Sequence, residues 1–213
     1  MDKYINRRQI CKYQNSKALM EFNDKLNAAE TDKAANVHSS FSKINVVAKD
    51  YSQGTGENAI NVSLNLDPET MKYIANEILQ GNTTFSFSEQ KVLRHKTNKD
   101  GKAMTTRLGI KYNAQMRLAW NFVLDTGWGE AEQTEIGGVS LKKGTYVSEG
   151  QVKLFLADIE AKKLMITIND YIRAWEILAL RKLLQSRDVA EKTDRIDKSD
   201  KTEPGAQSQF TFF

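Results

Sequence analysis

Apolar positions along the chain change period several times, and each change marks a predicted element. From Ser40 the period is two: Phe41, Ile44, Val46 and Val47 mark a strand. After the turn cluster Ser52-Gln53-Gly54-Thr55-Gly56-Glu57-Asn58, a second strand follows. There Ile60, Val62, Leu64 and Leu66 alternate with Asn61, Ser63 and Asn65, the signature of a half-buried strand. At Asp67-Pro68-Glu69 the pattern switches to helical spacing. Asp67 suits an N-cap, Pro68 costs nothing at the first helical position, and Glu69 favours the positive helix end. Met71, Ile74, Ala75, Ile78 and Leu79 continue one face, and Gly81 ends the helix.

Further strands are predicted at Thr84–Leu93, Met104–Tyr112, Arg117–Asp125, Val139–Val147 and Gln151–Ala157. Asp158–Lys163 reads as a hairpin turn into a last strand, where Leu164, Ile166 and Ile168 alternate. Asn169 and Asp170 then cap a second helix carrying Ile172, Trp175, Leu178, Ala179, Leu183 and Leu184. The stretches 61–80 and 165–186 thus look like one strand-to-helix unit written twice. Short connections imply antiparallel pairing. The expected fold class is α+β, with a strongly bent antiparallel sheet and two helices.

Either side of this domain, 37–186, the composition shifts. Residues 1–36 are polar and charge-mixed, an appendage in which Ser16 can cap a short helix carrying Leu19, Met20, Phe22 and Leu26. Residues 187–213 read as a disordered charged tether with Phe210, Phe212 and Phe213 at its tip. Apolar groups left in water at a chain end gain nothing. The three rings are therefore expected to meet a pocket, either on this protein or on another one; the layout resembles the tails by which some single-stranded-DNA-binding proteins recruit replication or recombination proteins.

Charge adds a candidate surface. The chain carries 31 Lys and Arg against 27 Asp and Glu, but the excess is concentrated. Lys91, Arg94, Lys96, Lys99, Lys102, Arg107, Lys111 and Arg117 fall in one stretch whose sole acid is Asp100. Arg94 to Lys102 reads as an exposed loop between two strands, with Arg107 and Lys111 opposite Leu108 and Ile110. Such an arm suits a phosphate backbone, since each neutralised phosphate releases counterion. Phe85, Phe87, Trp120 and Trp128 flank it as candidate stacking platforms for bases. The first three also fit the core. Trp128 lies in the turn-like Asp125-Thr126-Gly127-Trp128-Gly129. Glu130, Glu132 and Glu135 form an opposed acidic patch.

Other chemistries lack their residues. One cysteine, Cys11, and two histidines, His38 and His95, make neither a disulfide nor a metal set. No phosphate-binding glycine loop or nucleophile elbow occurs, so neither an enzyme nor a cofactor is expected. No apolar run reaches 18 residues, and no secretory leader is read; a cytoplasmic protein is expected, with no membrane partner.

Strands leading into a helix, twice, together with Asp100-Gly101-Lys102-Ala103-Met104, resemble the Whirly and PC4-like single-stranded nucleic-acid-binding proteins over roughly residues 40–186. The Whirly family carries a Lys-Gly-Lys-Ala-type segment, and Asp100 stands here in place of its first Lys. The resemblance implies sequence-tolerant binding of single-stranded DNA or RNA across a sheet, with homo-oligomerisation through the helices, in replication, recombination or transfer of a phage or mobile element. An OB-fold barrel is the alternative fold. A non-catalytic adaptor that docks a protein on the basic arm is the alternative function.

Overall fold

The computed structural model describes residues 8–29 and 37–199, with side chains described to residue 190. Four strands come first: β1 Gln9–Gln14, β2 Ala18–Lys25, β3 Lys43–Asp50 and β4 Ile60–Leu66, followed by α1 Pro68–Leu79. The second series is β5 Ser86–Thr97, β6 Ala103–Tyr112, β7 Trp120–Gly129, β8 Ala131–Gln133, β9 Val139–Leu141 and β10 Val147–Leu156, followed by α2 Asp158–Ser199. One sheet has the order β1-β2-β3-β4, the other β10-β7-β6-β5, and β8-β9 is a separate hairpin. All pairings are antiparallel. The molecule is therefore α+β, built as a four-stranded antiparallel sheet plus a helix, twice. Neither sheet closes on itself, so the strands form no barrel among the described residues.

The duplication is real, but its second junction is not at 165–170. Residues 158–170 are helix from the start. Ala161, Leu164, Met165, Ile168 and Ile172 are buried while Ile166 is half-exposed, which is a 3.6-residue stripe and not alternation. The apparent alternation of Leu164, Ile166 and Ile168 uses one residue from the helix's outer side. Asn169 and Asp170 lie within that helix and cap nothing. The true partner of Val62-Leu64-Leu66-Asp67 is Val152-Leu154-Leu156 followed by Asp158: in each, three buried apolar residues lead to an acid at a helix start.

The first sheet supplies a second correction. Residues 9–25 are a β-hairpin, not a polar appendage with a helix. Met20 and Phe22 are fully enclosed and Leu19 is buried on the opposite face, so the apolar spacing serves both faces of a strand. The tether expected from 187 is helical to Ser199. Phe210, Phe212 and Phe213 lie outside the described residues.

Both sheets turn their apolar faces to a common core. Phe22, Ile44, Val46, Val62, Leu64 and Leu66 from the first meet Leu108, Ile110, Trp120, Phe122, Leu124, Val152 and Leu154 from the second. β4 runs across the second sheet. At one end Ile60 approaches Gly150 on β10; at the other Asp67 lies 3.8 Å from Lys91 on β5. Both helices pack beside each other, and α2 also covers β1. Cys11 is half-buried there, its Sγ 3.9 Å from the Leu164 carbonyl, and desolvation pushes its thiol up to about 12.

The ends of α1 follow the sequence with one change. Gly81 takes φ +72, with Gly81 N–H to Ile78 O and Asn82 N–H to Glu77 O. Asp67 precedes α1 but its carboxylate does not cap. It accepts from Lys43 Nζ at 2.6 Å instead. That hydrogen bond, which outweighs the effect of burial, holds Asp67 below the usual carboxylate range.

Candidate nucleic-acid interface

β5 and β6 build the predicted arm, and its tip is shaped by two local devices. At the turn, Gly101 has φ +74 and Asn98 Oδ1 accepts from the N–H groups of Asp100 and Lys102. Just before it, the register passes from Leu93↔Met104 to Thr97↔Ala103. β5 advances four residues while β6 advances one, so Arg94, His95 and Lys96 stand out as a bulge. Bulges re-aim side chains. Arg94 reaches the Gly138 carbonyl at 3.5 Å. Lys96 and Lys99 are exposed, Lys102 is half-buried, and none of these three makes an ion pair among the described residues.

Further along β6, alternation puts Arg107 and Lys111 on the outer face. Arg107 is engaged: its guanidinium sits 3.4 Å from the Tyr146 ring centroid and its Nε donates to Gln90 Oε1 at 3.0 Å. Burial, with Asp125 alongside, pushes the Tyr146 hydroxyl above its ordinary range. Close approach of the β10 strand start brings Tyr146 there. A Cβ on Gly127 would lie 2.1 Å from the Val147 carbonyl oxygen, so β7 must carry glycine at that point. Lys111 is exposed in a row with Asn121 and Phe155 across β6, β7 and β10. These three line a shallow hollow of about 440 Å³ with Tyr112 and Met116. Arg117 is exposed in the loop before β7. From Ala103 to Lys111 the strand spans about 27 Å, so the cations form a band along one strand and not a cluster.

Most of the predicted stacking platforms are elsewhere. Trp120 is fully buried, with Nε1 donating to Asp158 Oδ1 at 3.0 Å. Phe85 is buried against Trp120 and Tyr73, and half-buried Phe87 stacks on Phe85 at 6.5 Å. These rings fill the end of the core between β5 and α1. Trp128 lies in β7 and not in a turn. It is half-buried, and its Nε1 donates to Glu149 Oε2 at 2.7 Å. Lys91 faces inward, 2.6 Å from Glu89 and 3.8 Å from Asp67, so its charge is already balanced. Glu130 pairs with Lys142, and Glu132 accepts from Ser140, within the β8–β9 hairpin.

Sequence reasoning missed the cations of the first sheet. Lys25, Lys43 and Lys49 lie on its outer face among Asn45, Asn61, Ser63 and Asn65. The outer face of β4 and the strand β5 flank a cleft of about 640 Å³, whose lining includes Lys25, Ser63, Asn65, Gln90, His95 and Lys96. Phe155 and Lys153 on β10 were missed too. The signal was there: Lys43-Ile44-Asn45-Val46 and Val152-Lys153-Leu154-Phe155 are period-two strings whose polar half marks the outer face.

A separate polar cluster joins the β2–β3 connection to both helices. His38 lies between Ser42 Oγ (3.0 Å) and Glu176 Oε1 (2.9 Å), stacked on Trp175 at 5.0 Å, and Lys72 Nζ reaches the same Glu176 oxygen at 2.6 Å. Because a carboxylate only accepts, Nε2 carries a proton towards Glu176. Burial would raise Glu176, but hydrogen bonds from Lys72 and His38 outweigh it and hold the group low. Ser42 is 1% exposed and also accepts from the Asn27 N–H. Its hydroxyl is sealed from solvent, so the cluster acts as a structural tie.

Among the described residues no helix is long and apolar enough to cross a membrane, and no group of three or more His, Cys, Asp or Glu could hold a metal ion. Comparison with known protein families, curated proteins and solved structures returns no match.

Proposed function

We propose that the protein binds single-stranded nucleic acid with little sequence preference and without catalysis, as a Whirly-like duplicated strand–helix protein. The observation that carries this reading is the unbalanced basic band. Lys96, Lys99, Lys102, Lys111 and Arg117 are without acidic partners among the described residues, on one arm and sheet edge. Burial of Phe85 and Trp120, with Phe87 packed on the core, makes the binding phosphate-led, with Phe155 as the aromatic surface beside Lys111. Affinity of this kind is electrostatic and falls steeply with salt.

Fluorescence anisotropy with labelled oligo-dT, oligo-dA and a duplex at two salt concentrations tests it. Single strands bind at low salt and the duplex binds more weakly; no single-strand binding at low salt overturns the reading. Replacing Lys96, Lys99 and Lys102 with Glu abolishes binding while leaving the melting curve in place. Milder Lys→Ala changes at the three positions lower the salt slope by about 2, at ~0.7 for each phosphate no longer neutralised.

Self-association belongs to the same proposal. Ile177 and Leu178, 68% and 60% exposed, sit with Leu180 and Leu184 on α2, an apolar flank of the kind that marks a contact surface. The role in replication, recombination or transfer of a mobile element rests on the resemblance alone.

A further inference from the structure

The strands of the second sheet outrun the first sheet, and a row of apolar residues lies past its edge. β4 is the edge strand of the first sheet and crosses over Gly150, Thr126, Thr106 and Lys91, which lie side by side on β10, β7, β6 and β5. Ile60 approaches Gly150 at one end, and Asp67 lies 3.8 Å from Lys91 at the other. The next row towards the tip of the arm is Val147, Trp128, Met104 and Leu93, again directly opposite one another. Alternation puts this row on the same face as Leu108, Ile110, Phe122 and Leu124. It is therefore the apolar face of the core, continued into solvent as a ledge about 14 Å across, or three strand spacings. Leu93, Met104 and Trp128 are half-buried and Val147 is 60% exposed. The other face is closed at this level: Ala103 is buried, and Gly129 opposite it lies against Leu141 of the β8–β9 hairpin.

We infer that the bound strand stacks a base on this ledge, with Trp128 as the platform. The inference rests on the proposed single-strand binding and deepens it, adding a stacking site on the side of the arm opposite Phe155. Trp128 Nε1 donates to Glu149 Oε2 at 2.7 Å, which orients the indole and occupies that carboxylate. Met104 beside it is a soft, adaptable apolar contact. Charge selects the occupant. Lys102 lies two residues, about 7 Å, along the chain from Met104. Lys96 and Lys99 are close by on the tip, and none of the three makes an ion pair among the described residues. A polyanion with flat apolar faces suits both halves, its phosphates on the lysines and a base on the indole. Stacking of this kind accepts any base, in keeping with little sequence preference.

Trp128 can report on its own contact. Oligo-dT at low salt is expected to quench the tryptophan fluorescence of the full chain through Trp128, since Trp120 is enclosed in the core and Trp175 is stacked on His38. Trp128→Phe removes most of the quench and keeps affinity within about threefold, because a ring remains. Trp128→Ala weakens oligo-dT and oligo-dA alike by about tenfold, the worth of one stacked base. It leaves the salt slope unchanged, because no phosphate contact is lost; a distorted arm would lower the slope as well. Thermal melting shows that each variant is folded, and the quench comparison needs only the milder Trp128→Phe. A full quench retained in Trp128→Phe overturns the inference and leaves single-strand binding standing. So does unchanged affinity in Trp128→Ala, whether Phe155→Ala then weakens binding or a protein oligomer dissociates and assigns the ledge to a second copy. Failure of every oligonucleotide to bind at low salt removes the parent reading and the inference together.

Discussion

Each half of the molecule makes four strands and a helix, yet they spend their residues differently. The first is economical: strands of 6 to 8 residues and a 12-residue helix with one buried stripe. The second has strands of 12 and 10 residues in its arm, an inserted β8–β9 hairpin, and a helix of 42 residues, about 63 Å long. The inner faces of the two are alike, because both complete one core. Their edges and ends differ because solvent tolerates what a core does not. Excess length thus accumulates where it leaves the shared core undisturbed, in the arm and in α2.

That contrast can be broken from the economical side first. If the first hairpin belongs to the core, a chain without residues 1–26 fails to fold, since Met20 and Phe22 leave with it; circular dichroism and size exclusion would show a loss of cooperative melting. A retained sharp transition would return residues 1–26 to the status of an appendage. Phe22→Ala in one half and Trp120→Ala in the other are each expected to cost about 3–5 kcal/mol by urea denaturation. Similar costs with one shared transition mean one core, and two transitions mean two. His38→Ala is expected to cost about 1–3 kcal/mol, because it unties the β2–β3 connection from both helices at once.

The smallest effect is on pH dependence. Asp67 and Asp158 are held below their usual value by hydrogen bonds from Lys43 and Lys162, and Glu176 is low for the reasons given. A carboxylate with a depressed folded value contributes its stability above its ordinary value and loses it as pH falls through the folded one. The urea midpoint should therefore hold from pH 7 to 5 and fall below the ordinary values of 3.8 and 4.5. Asp67→Asn and Asp158→Asn should each flatten that fall, one from each half. An unchanged slope in both variants would assign the acid sensitivity to other groups.

What can be read from the sequence follows the strength of the local period. α1 is plain because Pro68, Gly81 and one apolar stripe agree. β4 and β6 are plain because alternation is strict, and β3 because its apolar run is rich in β-branched residues, though Val46-Val47-Ala48 breaks the period. β1 and β2 are hidden because Leu19, Met20 and Phe22 fit a helix as well as a strand with two buried faces. The start of α2 is hidden because its outer side carries Ile159 and Ile166, which make a helical stripe look like alternation. The arm's cations can be found, since charge needs no tertiary context. The fate of its aromatics cannot: whether Trp120 faces solvent depends on β10, Asp158 and Tyr112 arriving beside it. The period of β3 marks Lys43 as outward-facing, but the cleft that it and Lys25 line is visible only once β5 is seen across from them.

Gly127 has a consequence for how such a protein can change over time. With a carbonyl oxygen 2.1 Å from where any side chain would begin, the position has an alphabet of one letter. Drift can lengthen the arm, recolour its charges or exchange its lysines, and each step can be undone. A substitution here instead displaces Val147, and with it the Tyr146 ring that shelters Arg107. The least conspicuous residue in β7 is thus the narrowest gate in the lineage of this surface.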